Sequence, residues 1–235
     1  MNLKQKLLLL PGLLCDEALW TRQKERLSRT SEVIVVDLTR FDSMEAMADA
    51  ALSMVEGRFA VAGLSMGGYV AMHIMRKTPQ RVSRLALLDT SARPDTEEQT
   101  RRRLQVISLS EQGKFGEVVE QYLPLFVHPR RITDKTLCEN VRSMNLRVGA
   151  SAFRLQQTAI VGRPDSRDSL KRVSCPTLVL CGRQDALTPL ELHEEICGLI
   201  PGSRLAIIED CGHLATMERP EAVSAAMENW LLRQD

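Results

Sequence analysis

The chain has 235 residues, 44% of them hydrophobic, which is enough for one domain with a full buried core. Thirty-one basic and thirty acidic side chains give a net charge of +1 without a dominant block of one sign, which argues against nucleic acid or an anionic membrane as a partner. The triplet Arg101–Arg103 follows Glu97 and Glu98 by one helical turn, a pattern that predicts a solvated helix face with internal ion pairs. No apolar run approaches the roughly 20 residues needed to span a bilayer.

Six cysteines are spread without C-x-x-C spacing, which argues against a metal cluster or a disulfide framework. Cys181 lies within an aliphatic run and is expected to be a small buried hydrophobic residue. This cysteine usage favours a reducing, cytoplasmic compartment.

The first apolar stretch, LLLLPGLLCDEALW at residues 7–20, has two interpretations. With two lysines before it and a cysteine within it, the stretch resembles a lipoprotein export signal. A cleavage site needs small residues, however, and Leu13 and Leu14 are bulky, while Pro11-Gly12 interrupts the apolar run. The sequence therefore favours a buried strand that runs into a tight turn.

Short aliphatic runs recur along the chain, each followed by turn residues and a helical pattern. Continuous apolar runs are expected of strands that are buried on both faces of a parallel sheet. The runs are Leu7–Leu10, Val33–Asp37, Phe59–Leu64, Leu85–Asp89, Thr177–Cys181 and Leu205–Ile208. Helical periodicity covers residues 44–55, about 66–78 and about 221–232. This alternation predicts a doubly wound, mostly parallel α/β sheet.

Residues 93–173 interrupt the alternation, because they contain helical patterns such as Arg101–Ser108 and Gly116–Leu123 but no convincing strand. A stretch of about eighty residues is too long for a simple crossover between strands. We expect residues 1–92 and 174–235 to form an α/β core and residues 93–173 to form a helical cap over the strand ends. Extra packed helices without a lid role are the alternative.

The third predicted strand is followed by AVAGLSMGGYVAMHI, in which Gly63–Gly67 fits the pattern G-x-S-x-G between a strand and a helix. The glycines leave room for a sharp, strained turn that exposes the Ser65 hydroxyl. The helix that follows directs its N-terminal amides to the place where negative charge develops during acyl transfer. Ser65 is therefore the candidate nucleophile.

A serine nucleophile needs a base, and the chain offers four histidines. His73 lies two turns into the helix after Ser65 and is expected to be structural. His193 lies in a helix with acidic neighbours, where we expect it to be solvated, and His128 belongs to residues 93–173, where no strand end fixes it. His213 lies in a loop between the last predicted strand and the final helix, from which it can reach the top of the sheet, and it is the predicted base.

A third group must orient the imidazole and stabilise the imidazolium. Asp185 lies shortly beyond the fifth predicted strand, in a turn rich in helix-breaking residues, and it is the favoured acid. Asp89, at the end of the fourth predicted strand, is the alternative. Glu209 and Asp210 lie too close to His213 along the chain to face its ring.

In these motifs the sequence resembles the α/β-hydrolase fold superfamily, and its serine esterases and lactonases in particular. The segments LLLLPGLLCDEALW, GLSMGGYVAMH, LVLCGRQDALTP and CGHLATMERPEAV match the superfamily's elements in order and spacing over nearly the whole chain. The order Ser, Asp, His along the chain is also the one this fold uses. Many relatives carry an extra hairpin before the first strand, and its absence here implies a sheet of about six strands.

The resemblance also implies an oxyanion hole made of two main-chain N–H groups, those of Leu13 and Met66. Each such donor contributes roughly 3 kcal/mol of transition-state stabilisation. The chain departs from the family at the first of these turns, because it has Pro11-Gly12 where many members have His-Gly.

The sequence therefore predicts a hydrolase that cleaves a small, apolar carboxylic ester or lactone through an acyl-enzyme, without a cofactor or metal. A C–C bond hydrolase or lyase that uses the same triad is the alternative. A non-catalytic ligand-binding protein is a third interpretation, which the presence of Ser65, Asp185 and His213 together argues against. Residues 93–173 offer apolar side chains for a substrate pocket and arginines that could pair with a substrate carboxylate, although both sets also suit an ordinary helical segment. These are Phe115, Leu123, Leu125, Phe126 and Phe153, and Arg130, Arg131, Arg147 and Arg154.

Overall fold

Six parallel strands form one sheet in the order β2-β1-β3-β4-β5-β6 in the structure, a computed structural model that describes residues 4–233. The strands are β1 (Gln5–Leu10), β2 (Ser31–Val35), β3 (Phe59–Leu64), β4 (Val82–Leu88), β5 (Thr177–Gly182) and β6 (Arg204–Ile208). Neighbouring strands pair in parallel throughout, so the predicted doubly wound sheet of six strands is confirmed. Two predicted runs end later than the observed strands, since β2 ends before Asp37 and β4 before Asp89.

Helices are present at each stretch where the sequence predicts one, with small shifts at their ends, and the structure has further helices that the sequence patterns did not define. The helices are α1 (Thr21–Leu27), α2 (Met44–Ser53), α3 (Met66–Lys77), α4 (Glu97–Glu111), α5 (Phe115–Phe126), α6 (Lys135–Val161), α7 (Arg167–Leu170), α8 (Leu190–Leu199), α9 (Ala215–Glu218) and α10 (Pro220–Leu232). Short 3₁₀ turns occupy Glu17–Trp20, Pro79–Arg81 and Pro129–Arg131. The Ser43 hydroxyl caps α2 by accepting a hydrogen bond from the Ala46 N–H, which satisfies one of the free amides of the first turn.

Burial across the sheet follows strand position. Every side chain of β3 and β5 is buried, as are those of Leu7–Leu10 in β1, because these strands have neighbours on both sides and helices on both faces. The edge strands β2 and β6 are largely half-buried. Full burial of a leucine contributes about 1.5–3 kcal/mol, so the central strands form the stable base from which the site-bearing loops emerge.

Residues between β4 and β5 form the four helices α4–α7, which we call the inserted helices, and the described chain has no strand there. The first two arginines of the predicted solvated triplet pair with Glu97 and Glu98 on the exposed surface, as expected. Arg103 differs, because it turns inward and its guanidinium binds the buried carboxylate of Asp95 at 2.6 Å. Arg163 binds the same carboxylate, so Asp95 ties the start of α4 to the end of α6.

None of the helices within residues 4–233 is both long and apolar enough to cross a membrane. All six cysteines carry free thiols, and Cys181 is fully buried in β5, as its aliphatic surroundings predict.

Close backbone contact between β1, β3 and α3 requires glycine at the turn after β3. A Cβ atom on Gly67 would collide with the carbonyl oxygen of Leu10, and one on Gly63 would collide with the carbonyl of Gly67. These contacts bring the first turn of α3 against the end of β1.

Gly67→Ala should therefore lower the free energy of unfolding by about 1–3 kcal/mol or more, because main-chain atoms must move to admit the methyl group. Gly116→Ala is the matched control, since Gly116 lies in α5 with no atom within 4 Å of an added Cβ, and this change should be neutral or stabilising. Urea denaturation of the two variants measures the difference. Equal stabilities would contradict this packing.

Candidate active site

Ser65 occupies the turn between β3 and α3 with φ 55° and ψ −115°, a backbone conformation that is strained for any residue except glycine. Main-chain hydrogen bonds hold it there. The Ser65 N–H donates to the Leu88 carbonyl at 2.9 Å, and the Ser65 carbonyl accepts from the Thr90 hydroxyl at 2.8 Å and from the Gly68 N–H at 2.9 Å. The turn thus leaves the Ser65 side chain partly exposed at the carboxyl edge of the sheet.

The structure brings together the three side chains that the sequence singled out for acyl transfer. His213 Nε2 lies 2.9 Å from the Ser65 Oγ, and His213 Nδ1 lies 2.8 Å from Asp185 Oδ2. His213 and Asp185 are buried, and they follow β6 and β5 respectively, so three separate strand ends converge on one point. The result is a continuous chain of hydroxyl, imidazole and carboxylate.

The Asp185 carboxylate is held by several donors in addition to the imidazole. Oδ1 accepts from the N–H groups of Leu187 and Thr188 at 2.8 and 2.9 Å, and Oδ2 accepts from the Thr188 hydroxyl at 2.6 Å. Burial alone would raise the pKa of Asp185. The charge of His213, its hydrogen bond to Asp185 and the hydrogen bonds from Thr188 have the opposite effect and are stronger, so the pKa of Asp185 lies below its usual value. An ionised Asp185 favours the tautomer with the proton on Nδ1, which leaves Nε2 free to accept from serine.

Asp89, the alternative acid, lies near this carboxylate but bonds elsewhere. Its Oδ1 accepts from the Gly182 N–H at 2.8 Å, and its backbone φ is 43°. Complete burial, followed by the negative charge of Asp185, raises the pKa of Asp89 well above its usual value. The carboxyl group in contact with the imidazole is that of Asp185.

The loop that carries the imidazole is fixed by a buried carboxylate and by contacts to the inserted helices. Glu218 Oε1 accepts from the Gly212 N–H at 2.8 Å, and Oε2 accepts from the His128 N–H at 2.9 Å. The Leu214 N–H donates to the Phe126 carbonyl at 3.0 Å, and the Phe126 ring stacks on the imidazole with centroids 6.0 Å apart. Residues on both sides of His213 are therefore anchored.

The expectation that His193 is solvated is wrong. His193 is fully buried, its Nε2 accepts from the Thr90 N–H at 2.9 Å, and its Nδ1 lies 3.3 Å from the Pro189 carbonyl. Burial lowers the pKa of His193 to about 4, so the ring is neutral near pH 7. A signal was present in the sequence, because His193 precedes the buried Ile196 and Ile200 by three and seven residues and so shares the apolar face of α8.

The two remaining histidines have structural contacts, as expected for His73. His73 Nδ1 lies 3.1 Å from a guanidinium nitrogen of Arg76. His128 Nδ1 accepts from the Arg130 N–H at 3.0 Å and so caps the 3₁₀ turn that follows. Its buried position comes from the helical insertion rather than from a strand end.

The turn after β1 lies against Ser65. An ideal Cβ on Gly12 would be 3.4 Å from the Ser65 Cβ, and the turn closes with a hydrogen bond from the Cys15 N–H to the Gly12 carbonyl at 3.2 Å. Within residues 4–233, neither the Leu13 nor the Met66 main-chain N–H donates to a protein acceptor. The first stretch is thus a strand and a turn, as the sequence favoured.

Aromatic side chains of the inserted helices form a cluster that reaches the imidazole. Ring centroids lie 5.8 Å apart for Phe115 and Phe153, 6.1 Å for Tyr122 and Phe153, and 5.4 Å for Tyr122 and Phe126.

Of the arginines that the sequence offered as partners of a substrate carboxylate, those that form an ion pair bind acidic residues of the protein itself. Arg131 pairs with Asp134 at 2.8 Å and Arg147 pairs with Asp16 at 2.9 Å.

Four buried side chains beneath the imidazole have the chemistry of metal ligands, namely Asp89, Cys181, Asp185 and His193, whose ligand atoms lie within 4.8 Å of one another. Their hydrogen bonds already use most of these atoms. Asp185 binds the imidazole and Thr188, and the Nε2 lone pair of His193 accepts from Thr90. A cation here would compete with the bond that orients His213.

A doubly wound parallel sheet that carries a serine turn, a histidine loop and an aspartate at its strand ends defines an α/β hydrolase. The sequence model of the "Alpha/beta hydrolase family" matches residues 7–226, and the chain belongs to that family.

Individual relatives agree with this assignment. A thermophilic esterase from Thermogutta terrifontis is 35% identical, with a TM-score of 0.92 over 98% of this chain and 90% of that one. The pimeloyl-[acyl-carrier protein] methyl ester esterase of Aromatoleum aromaticum is 26% identical over 210 residues, which cover 81% of this chain and 80% of the relative. The enol-lactonase of Burkholderia xenovorans shares the fold, with a TM-score of 0.89 and 20% identity over 98% of this chain and 92% of that one.

The buried neutral His193 generates a prediction about stability and pH. Because its folded-state pKa of about 4 lies below the usual value of about 6.5, the unfolded chain binds more protons between these values, and stability falls as the pH falls through them. The loss attributable to His193 reaches about 3 kcal/mol at about pH 4.

His193→Gln provides the comparison, since the amide oxygen can still accept from Thr90 but does not titrate. Urea denaturation at about pH 7 and about pH 4 should show the wild type losing about 3 kcal/mol more than the variant. Parallel pH profiles would contradict the buried neutral state.

Proposed function

We propose that the protein is a carboxylic ester hydrolase that acts through an acyl-enzyme on Ser65. The observation that carries the proposal is the hydrogen-bonded chain from Ser65 Oγ through His213 to Asp185, with distances of 2.9 and 2.8 Å. The 35% identity to an esterase over 98% of the chain, and the similarity to methyl ester esterases, support ester hydrolysis as the reaction.

In this mechanism His213 Nε2 removes the Ser65 proton as Oγ attacks the ester carbonyl carbon. Asp185 stabilises the imidazolium that results. The tetrahedral intermediate collapses as His213 gives that proton to the leaving alcohol. Water then attacks the acyl-enzyme with His213 again as the base, and the acid leaves with Ser65 restored.

The Leu13 and Met66 main-chain N–H groups would bind the oxyanion. Met66 begins α3, where the N–H groups of the first turn have no helical partner and the helix dipole favours negative charge. Leu13 follows Gly12, which lies against Ser65. Neither amide has a protein acceptor within the described chain, which leaves both available to a substrate oxygen.

Residues 93–173 would act as the cap over this site, with residues 1–92 and 174–235 as the catalytic core. The inserted helices meet the site directly, since Phe126 stacks on the imidazole and its carbonyl accepts from Leu214. The aromatic cluster behind Phe126 supports a small, apolar ester or lactone as the substrate.

Turnover of a short p-nitrophenyl ester tests the proposed function. Ser65→Ala should lower kcat by about 10³-fold or more, because the nucleophile is removed while the fold is kept. Circular dichroism of the variant provides the control for folding. Cleavage of a vinylogous 1,5-diketone in place of the ester would favour C–C hydrolysis, and failure of the intact protein on both substrates would leave ligand binding as the better interpretation.

Two matched variants test which carboxyl group serves His213. Asp185→Asn should lower kcat by about 10⁴-fold, because an amide in this position favours the wrong imidazole tautomer. Asp89→Asn should change kcat by less than about fivefold, since the imidazole binds Asp185 and an amide oxygen at position 89 can still accept from Gly182. A larger loss in Asp89→Asn than in Asp185→Asn would reverse the assignment.

A further inference from the structure

Two side-chain amides of α6, those of Asn145 and Gln156, bind the turn that carries Leu13. The Leu14 N–H donates to Gln156 Oε1 at 3.0 Å, and the Leu14 carbonyl accepts from Asn145 Nδ2 at 2.8 Å. Leu14 has a φ of 61°, a left-handed conformation that a leucine adopts only where its surroundings impose it. Both polar atoms of the strained residue are therefore satisfied by the inserted helices rather than by the core.

The shape of α6 allows both contacts. Asn145 and Gln156 are eleven residues apart, which would place their Cα atoms about 16 Å apart along an unbroken helix. Gly149, with φ 81° and ψ 165°, interrupts the helix between them. The break lets two side chains from one segment reach the two polar atoms of a single residue.

Burial and further hydrogen bonds fix the orientation of these two side-chain amides. Asn145 and Gln156 are both fully buried, so water does not replace a lost partner and the hydrogen bonds retain their geometry. Gln156 Nε2 also lies 3.5 Å from the Leu38 carbonyl, which orients the amide so that its oxygen faces Leu14. The Leu13 carbonyl accepts from the Cys15 thiol at 3.3 Å, which holds the peptide unit shared by Leu13 and Leu14 from its other end.

We infer that Asn145 and Gln156 are positioning residues, which we call the α6 clamp, that fix Leu14 and thereby aim the Leu13 N–H at the developing oxyanion. The inference rests on the proposed ester hydrolysis. The clamp touches neither Ser65 nor His213, so its loss should weaken transition-state binding and leave the ground-state complex largely intact.

Gln156→Met tests the clamp, with Gln157→Met as the matched control. Gln157 is the next residue of α6 and is equally buried, but its amide binds Tyr122 and Arg103, at 2.7 and 2.9 Å. Both changes remove a buried amide of the same volume from the same helix. Only the first frees the Leu14 N–H.

Gln156→Met should lower kcat for a p-nitrophenyl ester by about 10- to 100-fold with KM within about twofold, because a misaligned oxyanion donor acts on the transition state. Binding of a trifluoromethyl ketone, which forms the tetrahedral oxyanion, should weaken by the same factor. Gln157→Met should keep kcat within about threefold. Gln156→Glu, whose carboxyl oxygen can still accept from Leu14, should recover most of the lost kcat.

Equal kcat values for Gln156→Met and Gln157→Met would overturn the inference, as would a loss confined to KM. Main-chain hydrogen exchange adds a readout without substrate: residues 12–15 should exchange faster in Gln156→Met than in Gln157→Met. If the wild type shows no Ser65-dependent ester turnover, the proposed function fails. In that case the hydrogen exchange of residues 12–15 decides whether the α6 clamp orders the turn. Equal exchange rates in Gln156→Met and Gln157→Met would overturn the clamp as well.

Discussion

The strained backbone at Ser65 is the constraint on which the site depends. A left-handed serine costs about 1–3 kcal/mol and persists only where neighbouring groups hold it. Here its N–H extends the hydrogen-bonding ladder to Leu88 at the end of β4, and its carbonyl accepts from the Thr90 side chain and from the first turn of α3. Because Leu88 ends β4 and Thr90 follows it by two residues, the end of this central strand fixes the Ser65 turn, and the other parts of the candidate site are arranged around it.

The buried carboxyl groups of Asp89 and Asp185 lie close together near the imidazole, and their electrostatic environments differ. Their oxygens lie within 4.8 Å, a distance at which two negative charges in a dry interior repel strongly. Asp185 has donors from Leu187, Thr188 and the imidazole, whereas Asp89 accepts from Gly182. The pKa of Asp185 is therefore lowered and that of Asp89 raised, so negative charge at this place is favoured on the carboxyl group that contacts His213. The sequence favoured Asp185 and kept Asp89 as the alternative, and the contact between Asp185 and the imidazole distinguishes the two residues in the structure.

Sequence patterns predicted the sheet well where burial is complete and less well at its margins. The run Phe59–Leu64 coincides with β3, since a strand buried on both faces is apolar at every position. At the edge, β2 begins at Ser31 with an exposed Glu32, so the apolar run Val33–Asp37 was shifted towards later residues. The serine turn and the histidine loop were found because each has a local signature. The α6 clamp had none, because it depends on the break at Gly149 and on contacts over more than a hundred residues of sequence.

The helices between β4 and β5 contact both the loop that carries His213 and the turn that carries Leu13, and these contacts limit how the helices can move. The His213 loop is linked to them through Glu218 and the Phe126 carbonyl, and the turn after β1 is linked to them through Asn145 and Gln156. Lifting α6 as a rigid body would leave buried polar groups without partners, at about 1–3 kcal/mol for each. It would also release the strained Leu14. Any displacement of α6 from Leu14 would therefore also release the turn that carries Leu13, so the position of this helix and the conformation of the turn depend on the same two amides.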